Sequence, residues 1–118
     1  RAFVSQGLVD APCSGMGVAR KRPDLRWTRK ESELEGLLGV QRTILDAAAA
    51  RVAPGGVLVY STCSVDAEEN AAQAKAFLDR HAGDFEVEKV RACARPRALE
   101  SRCVCVLAAD TRGAFARV

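Results

Sequence analysis

Apolar and polar positions alternate with two different periods along this chain, and the changes of period mark out its elements. Val4, Leu8 and Val9 give a short apolar strand over residues 3–10, weakened at its start by Ser5-Gln6-Gly7. Asp10 closes it, and Pro12 blocks a regular continuation. From Ser32 the period lengthens. Leu34, Leu37, Leu38, Gln41, Ile44, Leu45, Ala48 and Val52 fall on one helical stripe, with Ser32 and Glu35 in capping-box spacing at its start. This helix is expected to end near Ala53, before Pro54-Gly55-Gly56. Residues 57–60 are a continuous apolar run, the pattern of a strand covered on both faces. Asp66 and Glu69 repeat the capping-box spacing. Ala67, Ala71, Ala74, Phe77 and Leu78 then give a second helix its apolar face, and Gly83 lies just past its end. Residues 85–90 alternate with period two. Residues 102–109 read as a further strand with Cys103, Cys105 and Leu107 on one face, and 114–118 as its antiparallel return.

The order is β–loop–α–β–α–β–β. It predicts an α/β fold, the second half of an open, doubly wound sheet ending in an antiparallel hairpin. The 118 residues make one small domain or part of one. With 48% hydrophobic residues but only 5% aromatics, Ala, Val and Leu must fill the core. No G-x-G-x-x-G and no Walker loop occurs, and Gly15-Met16-Gly17 is too short to replace either. A sheet of this type usually binds its cofactor at the turn after its first strand. That turn is missing from this order, so the strand at 3–10 is expected at an exposed edge.

Charge sharpens the picture. The net charge of +3 is mild, but residues 20–30 hold six basic side chains against Asp24 alone, in a loop long enough to suggest function. Residues 66–90 hold seven acids against three bases. A basic segment beside an acidic helix suits an anionic partner such as a nucleic-acid backbone, or is simply a solvated loop. No apolar run approaches the ~20 residues of a membrane span. The five cysteines are odd in number and form no C-x-x-C pair. That argues against a zinc site or a disulfide framework and fits a reducing, cytoplasmic compartment.

The candidate chemistry sits in two turns, Asp10-Ala11-Pro12-Cys13-Ser14-Gly15 and Tyr60-Ser61-Thr62-Cys63-Ser64. Each follows a strand. If the strands are neighbours, both cysteines face one crevice. His81, the only histidine, lies at a helix end, where it is expected at the surface, so a Cys–His pair is not expected. A thiolate without a histidine base fits attack on an electrophilic ring carbon. The alternative for both cysteines is burial as small hydrophobes.

The stretches DAPCSGMGVARKRPDLRW, LGVQRTILDAAA and PGGVLVYSTCSVDAEEN, in this order, resemble the RNA cytosine-5 methyltransferases of the RsmB/Fmu group and their NSUN relatives. The likeness runs continuously from about Gly7 to Phe77. It implies a Rossmann-like methyltransferase sheet that uses S-adenosylmethionine to methylate carbon 5 of cytosine in RNA, ribosomal RNA first and transfer RNA second. Cys63 matches the nucleophile that adds to carbon 6, and Cys13 the second cysteine, which helps release the product. Asp10 matches the aspartate between cofactor and base. Pro12 belongs to the substrate turn, and Arg20, Arg22, Arg26 and Arg29 to the basic loop that meets RNA, with Arg29 the best candidate to face the crevice. Trp27 either stacks on a base or packs. Glu68, Glu69 and Asn70 are expected to cap the helix and brace the Cys63 turn. Cys93, Cys103 and Cys105 match no motif and read as structural.

The resemblance also implies what this stretch lacks. The acidic, glycine-rich turns that hold the cofactor precede the matched motifs in the family, so residues 1–118 read as a partial catalytic domain whose first half is absent. The chain alone is expected neither to bind S-adenosylmethionine well nor to turn over. The competing reading is a non-catalytic relative acting as an RNA-binding or ribosome-associated scaffold. A DNA-type cytosine methyltransferase is disfavoured, because its nucleophile would sit in the Pro12-Cys13 turn and leave Thr62-Cys63 without a purpose.

Overall fold

The computed structural model describes residues 3–87 and 103–109, with Arg26 and 103–109 described by their backbone. The elements are β1 (Val4–Asp10), a 3-10 turn (Met16–Val18), α1 (Leu25–Thr28), α2 (Glu31–Ala49), β2 (Val52–Thr62), α3 (Ala71–Arg80), β3 (Phe85–Val87) and β4 (Cys103–Ala109). The sheet order is β1-β2-β4-β3. β1 and β2 are parallel, joined across α2 as parallel neighbours require, and in register with Val9 opposite Tyr60 and Asp10 opposite Ser61. β4 runs antiparallel to both β2 and β3. The sheet therefore does close with an antiparallel pair, but β4 makes it with β3 while also flanking β2; the expected return strand at 114–118 lies outside the described residues, as do 88–90 of the alternating segment.

β1 ends the sheet order, so the exposed edge expected at 3–10 is present among the described residues. Leu8 is 72% exposed while its neighbour Val9 is 7% exposed, which shows that β1 buries one face only. The core lies on that face. Val9, Leu58 and Tyr60 from the strands meet Leu45 and Ala49 from α2 and Phe77 from α3. Leu58 and Tyr60 are fully buried, whereas Val57 and Val59 are half-buried. The apolar run at 57–60 is thus covered completely on one face rather than on both, because α2 and α3 pack into the same cluster.

Element ends depart from the sequence reading in three places. α2 starts at Glu31 with extended Lys30 as its N-cap, so Ser32 lies inside the first turn and forms no capping box. Glu31 and Glu33 suit the positive end of the helix instead. α2 also ends earlier than Ala53. Val52 leaves the stripe and pairs with Val4, and the Val4 amide donates to the Arg51 carbonyl at 2.9 Å. Finally, α3 begins at Ala71, capped by Asn70 without a side-chain bond, so Asp66 and Glu69 cap nothing and Ala67 stays exposed in the preceding turn. Its buried face is Gln73, Ala74 and Phe77.

The register of β1 on β2 jumps from Val4–Val52 to Gln6–Val57, so Ala53 to Gly56 loop out between the two pairings. Gly56 is required there. A Cβ on it would lie 2.8 Å from the Ala53 carbonyl oxygen and 2.9 Å from that of Ser5. No helix among the described residues is long and apolar enough to cross a membrane.

Candidate active site

The parallel register delivers the two cysteine turns to one end of the sheet. Asp10 is paired with Ser61, and the Ala11 amide extends the ladder by donating to the Ser61 carbonyl at 2.9 Å. Both chains then leave the sheet together. The Gly17 amide donates to the Cys63 carbonyl at 3.0 Å and ties the first turn across the second. Gly15, at φ 75°, supplies the left-handed residue that turns the chain into Met16–Val18. As a result Cys13 Sγ and Cys63 Sγ are 3.1 Å apart, and both side chains are partly exposed.

That proximity governs their acidity. Burial and the neighbouring Cys13 sulfur push the Cys63 thiol up to about 11, with the Asp10 charge adding to the push. Cys63 is therefore a thiol at neutral pH.

Behind the sulfurs lies a buried polar network. The Ser14 amide and hydroxyl both donate to the Glu69 carboxylate, at 2.8 and 2.6 Å. Gln41 Nε2, from α2, donates to the same carboxylate at 3.0 Å and to the Pro12 carbonyl at 2.9 Å. The Tyr60 hydroxyl donates to the Glu69 carbonyl at 2.7 Å and lies 3.2 Å from Gln41 Oε1. Ser14 Oγ and Ser64 Oγ are 3.1 Å apart, each 3.2 Å from Asp66 Oδ2. Asn70 Nδ2 donates to the carbonyls of Ser64 and Asp66, at 3.0 and 2.8 Å, and its Oδ1 accepts from Thr62 Oγ1. No buried side-chain polar atom among the described residues lacks a partner. Burial alone would push the Glu69 carboxyl up, but its hydrogen bonds, chiefly from Ser14 and also from Gln41, outweigh this and hold it below the ordinary glutamate value.

The remaining candidates are spread around this centre. Asp10 is exposed at the end of β1, with a long contact of 3.4 Å from Ser61 Oγ, which leaves its carboxylate open to a further donor. Pro12 is exposed beside Cys13. Arg29 Nε donates to the Ser14 carbonyl at 3.0 Å and its guanidinium pairs with Glu33 at 3.4 Å. It lines a cleft of about 170 Å³ with Ser14, Met16, Lys30, Leu34, Leu37 and Asp66. Arg20 and Arg22 are exposed on the loop, Arg22 paired with Asp24 at 3.1 Å. The Arg26 side chain lies outside the described residues. Trp27 is 88% exposed, so it does not pack, while Leu25 on the same short helix is buried and anchors it.

His81 lies at the end of α3 as expected, but it is half-buried rather than free at the surface. Its ring lies 4.5 Å from that of Phe77, and Nε2 is 3.0 Å from Asp46 Oδ1. It braces the end of α3, remote from the cysteines in the contacts it makes. The bracing of the Cys63 turn expected of Glu68, Glu69 and Asn70 is present at Asn70, which bonds Thr62 and Ser64, whereas Glu69 holds the Cys13 turn through Ser14; the parts played by Ser14, Gln41 and the Tyr60 hydroxyl are missed in the sequence reading. The available signal was Gln41, a lone amide on an otherwise apolar stripe.

The family model described as 16S rRNA methyltransferase RsmB/F matches residues 2–101, and the chain belongs to that family. It is 51% identical over 73 residues to the ribosomal RNA small subunit methyltransferase B of Vibrio cholerae, a match covering 62% of this chain and 17% of that protein. The chain thus spans under a fifth of that relative's length. The crystal structure of NSun6 from Pyrococcus horikoshii with SFG superposes with a TM-score of 0.65 at 26% identity, covering 88% of this chain and 29% of that one. A methyltransferase homolog protein from Pyrococcus horikoshii shares the fold, with a TM-score of 0.69 at 24% identity over 91% of this chain and 39% of its own.

Proposed function

We propose that this RsmB/F-family chain carries the base-modifying centre of an RNA methyltransferase that places a methyl group on carbon 5 of cytosine in small-subunit ribosomal RNA. The observation that carries the proposal is the 3.1 Å contact of Cys13 with Cys63 at the end of two parallel strands, in a chain whose named relatives methylate ribosomal RNA.

In this reading Cys63 Sγ adds to carbon 6 of a cytosine presented out of its stack, which costs roughly a few kcal/mol for a paired base. The proton of the Cys63 thiol must leave as the bond forms, since the group titrates near 11. The pair is partly exposed, so water takes that proton as the carbon–sulfur bond forms, while Cys13 keeps its own. Addition makes carbon 5 electron-rich. S-adenosylmethionine, when bound, supplies the electrophilic methyl that carbon 5 takes. A base from solvent then removes the carbon 5 proton, and the electron pair of that C–H bond restores the ring double bond and expels Cys63. Cys13 assists that expulsion by protonating the departing sulfur. Asp10 faces outward beside the pair with acceptor capacity to spare, so it fits the role of orienting a donor on base or cofactor; it is the one cofactor candidate among the described residues. Exposed Arg20, Arg22 and Trp27 meet phosphates and an unstacked base.

The test is chemical. The full-length gene product is incubated with unmodified small-subunit ribosomal RNA and S-adenosylmethionine, and the RNA is digested for nucleoside mass spectrometry. The proposal requires 5-methylcytosine; a methyl group on another base or on ribose contradicts it.

A further inference from the structure

Two Cys-Ser dipeptides run side by side at the centre of the site: Sγ to Sγ is 3.1 Å for Cys13 and Cys63, and Oγ to Oγ is 3.1 Å for Ser14 and Ser64. The two turns leave different strands, and the ladder that aligns them stops at Ala11 and Ser61. Beyond that point one backbone bond, from the Gly17 amide to the Cys63 carbonyl, joins the turns, and side chains carry the rest of their alignment.

We propose that Glu69 is a positioning residue for the cysteine pair, its buried carboxylate holding the Cys13 turn against the Cys63 turn at the separation catalysis needs. Glu69 is fully buried. Three donors converge on its carboxylate: the Ser14 amide, the Ser14 hydroxyl and Gln41 Nε2. A carboxylate accepts all three, whereas a glutamine would turn its own N–H groups toward one of them. Through Ser14 the carboxylate fixes the residue next to Cys13. Through its main-chain carbonyl, held by the Tyr60 hydroxyl, it is locked to β2, three residues before Cys63. The circuit from Cys13 through Ser14, Glu69 and Tyr60 to Cys63 is closed without passing through solvent. Charge-assisted bonds of this kind are short and about twice as strong as neutral ones, so the carboxylate stiffens the circuit as well as completing it. A cap on α3 would need none of this, and Glu69 makes no cap.

The inference rests on the reading that Cys63 attacks and Cys13 releases, and its test separates the two. In the full-length gene product, Glu69→Gln is compared with wild type in two assays, at a temperature where circular dichroism shows both folded. The first is bridging of Cys13 to Cys63 by dibromobimane, with Cys13→Ser as the background for the other cysteines. The second is turnover on RNA. Bridging is expected to slow about tenfold or more, and kcat to fall about 100-fold, as misplacement of reacting groups by an ångström does. KM for RNA is expected to stay within about twofold, since Glu69 does not touch the substrate. A folded Glu69→Gln protein that bridges and turns over like wild type overturns the inference, even if its melting temperature falls. If Glu69→Gln does not fold, Ser14→Ala removes the hydroxyl arm, together with that hydroxyl's contacts to Ser64 and Asp66, and is expected to slow bridging several-fold; wild-type bridging there overturns the inference equally. Should Glu69→Gln lose bridging while Cys63→Ala still forms a covalent RNA adduct, the positioning role stands and the assignment of the nucleophile fails.

Discussion

The sulfur of Cys13 stands 3.1 Å from the sulfur of Cys63, although fifty residues separate them in the chain. The contact follows from one pairing, Asp10 opposite Ser61, which sends two parallel strands out of the sheet in step. It has a cost. Burial and the neighbouring Cys13 sulfur make the Cys63 thiol resist losing its proton, so Cys63 is not a resting thiolate. In the proposed reaction such a site stays quiet until a base arrives to take up the electron pair. That restraint suits a nucleophile which must add to a ring carbon and then leave it again.

The raised acidity of Cys63 predicts a pH profile. A free thiol reaches full reactivity a little above its ordinary value near 8.5. Alkylation of Cys63 by iodoacetamide, followed by peptide mass spectrometry, is expected to climb about tenfold per pH unit from 8 to 10 and to level only near 11. Cys13→Ala removes one source of the shift and is expected to raise Cys63 alkylation several-fold at pH 8. A plateau by pH 9 in the wild-type protein would contradict the picture of a shared proton.

Trp27 is the chain's single tryptophan, and its exposure makes it a built-in reporter. RNA binding is expected to quench its fluorescence. Trp27→Ala is expected to weaken RNA binding by about 1–3 kcal/mol, the range for one stacked base, and to leave the melting temperature unchanged. Unchanged affinity, or a large loss of stability, would remove Trp27 from the RNA surface.

Gly56 tests the fold. Its missing Cβ lets the loop at 53–56 close against Ser5 of β1. Gly56→Ala is expected to destabilise the chain by about 1–3 kcal/mol, as overpacking against backbone does. Urea titration followed by circular dichroism measures it; an unchanged midpoint would show that the register jump between β1 and β2 is softer than described.

Much of this arrangement can be read from residue types. Residues 3–10, the apolar run at 57–60 and the two cysteine turns announce themselves by period and by Pro and Gly, because burial and backbone restriction act locally. What escapes is set at long range. Asp66 and Glu69 have the spacing of a helix cap, yet Glu69 is captured by Ser14, fifty-five residues earlier, and the helix starts two residues later. Ser32 and Glu35 mislead in the same way: spacing shows what a side chain can do locally, not which partner it meets. The alternation at 102–109 identifies a strand but says nothing of its neighbours, and β4 lies between β2 and β3. His81 sits where a helix-end cation would, but two aromatic rings and Asp46 draw it inward.

The edge position of β1 bears on the cofactor. Asp10 is the one contact proposed for it among the described residues, and a single exposed carboxylate is too little to hold a ligand of that size. Isothermal titration of S-adenosylmethionine into the 118-residue chain by itself is expected to show no micromolar binding. Micromolar binding would mean that the described crevice holds the cofactor without further walls.

The identity of the attacking atom is the claim on which the rest depends, and 5-fluorocytosine RNA tests it most directly, because fluorine at carbon 5 blocks release and traps the adduct. With the full-length gene product and S-adenosylmethionine, the account predicts a denaturation-resistant protein–RNA band whose crosslinked peptide contains Cys63. It predicts no band for Cys63→Ala, and a band for Cys13→Ala that persists even on ordinary cytosine RNA. An adduct that survives in Cys63→Ala and maps to Cys13 would contradict it.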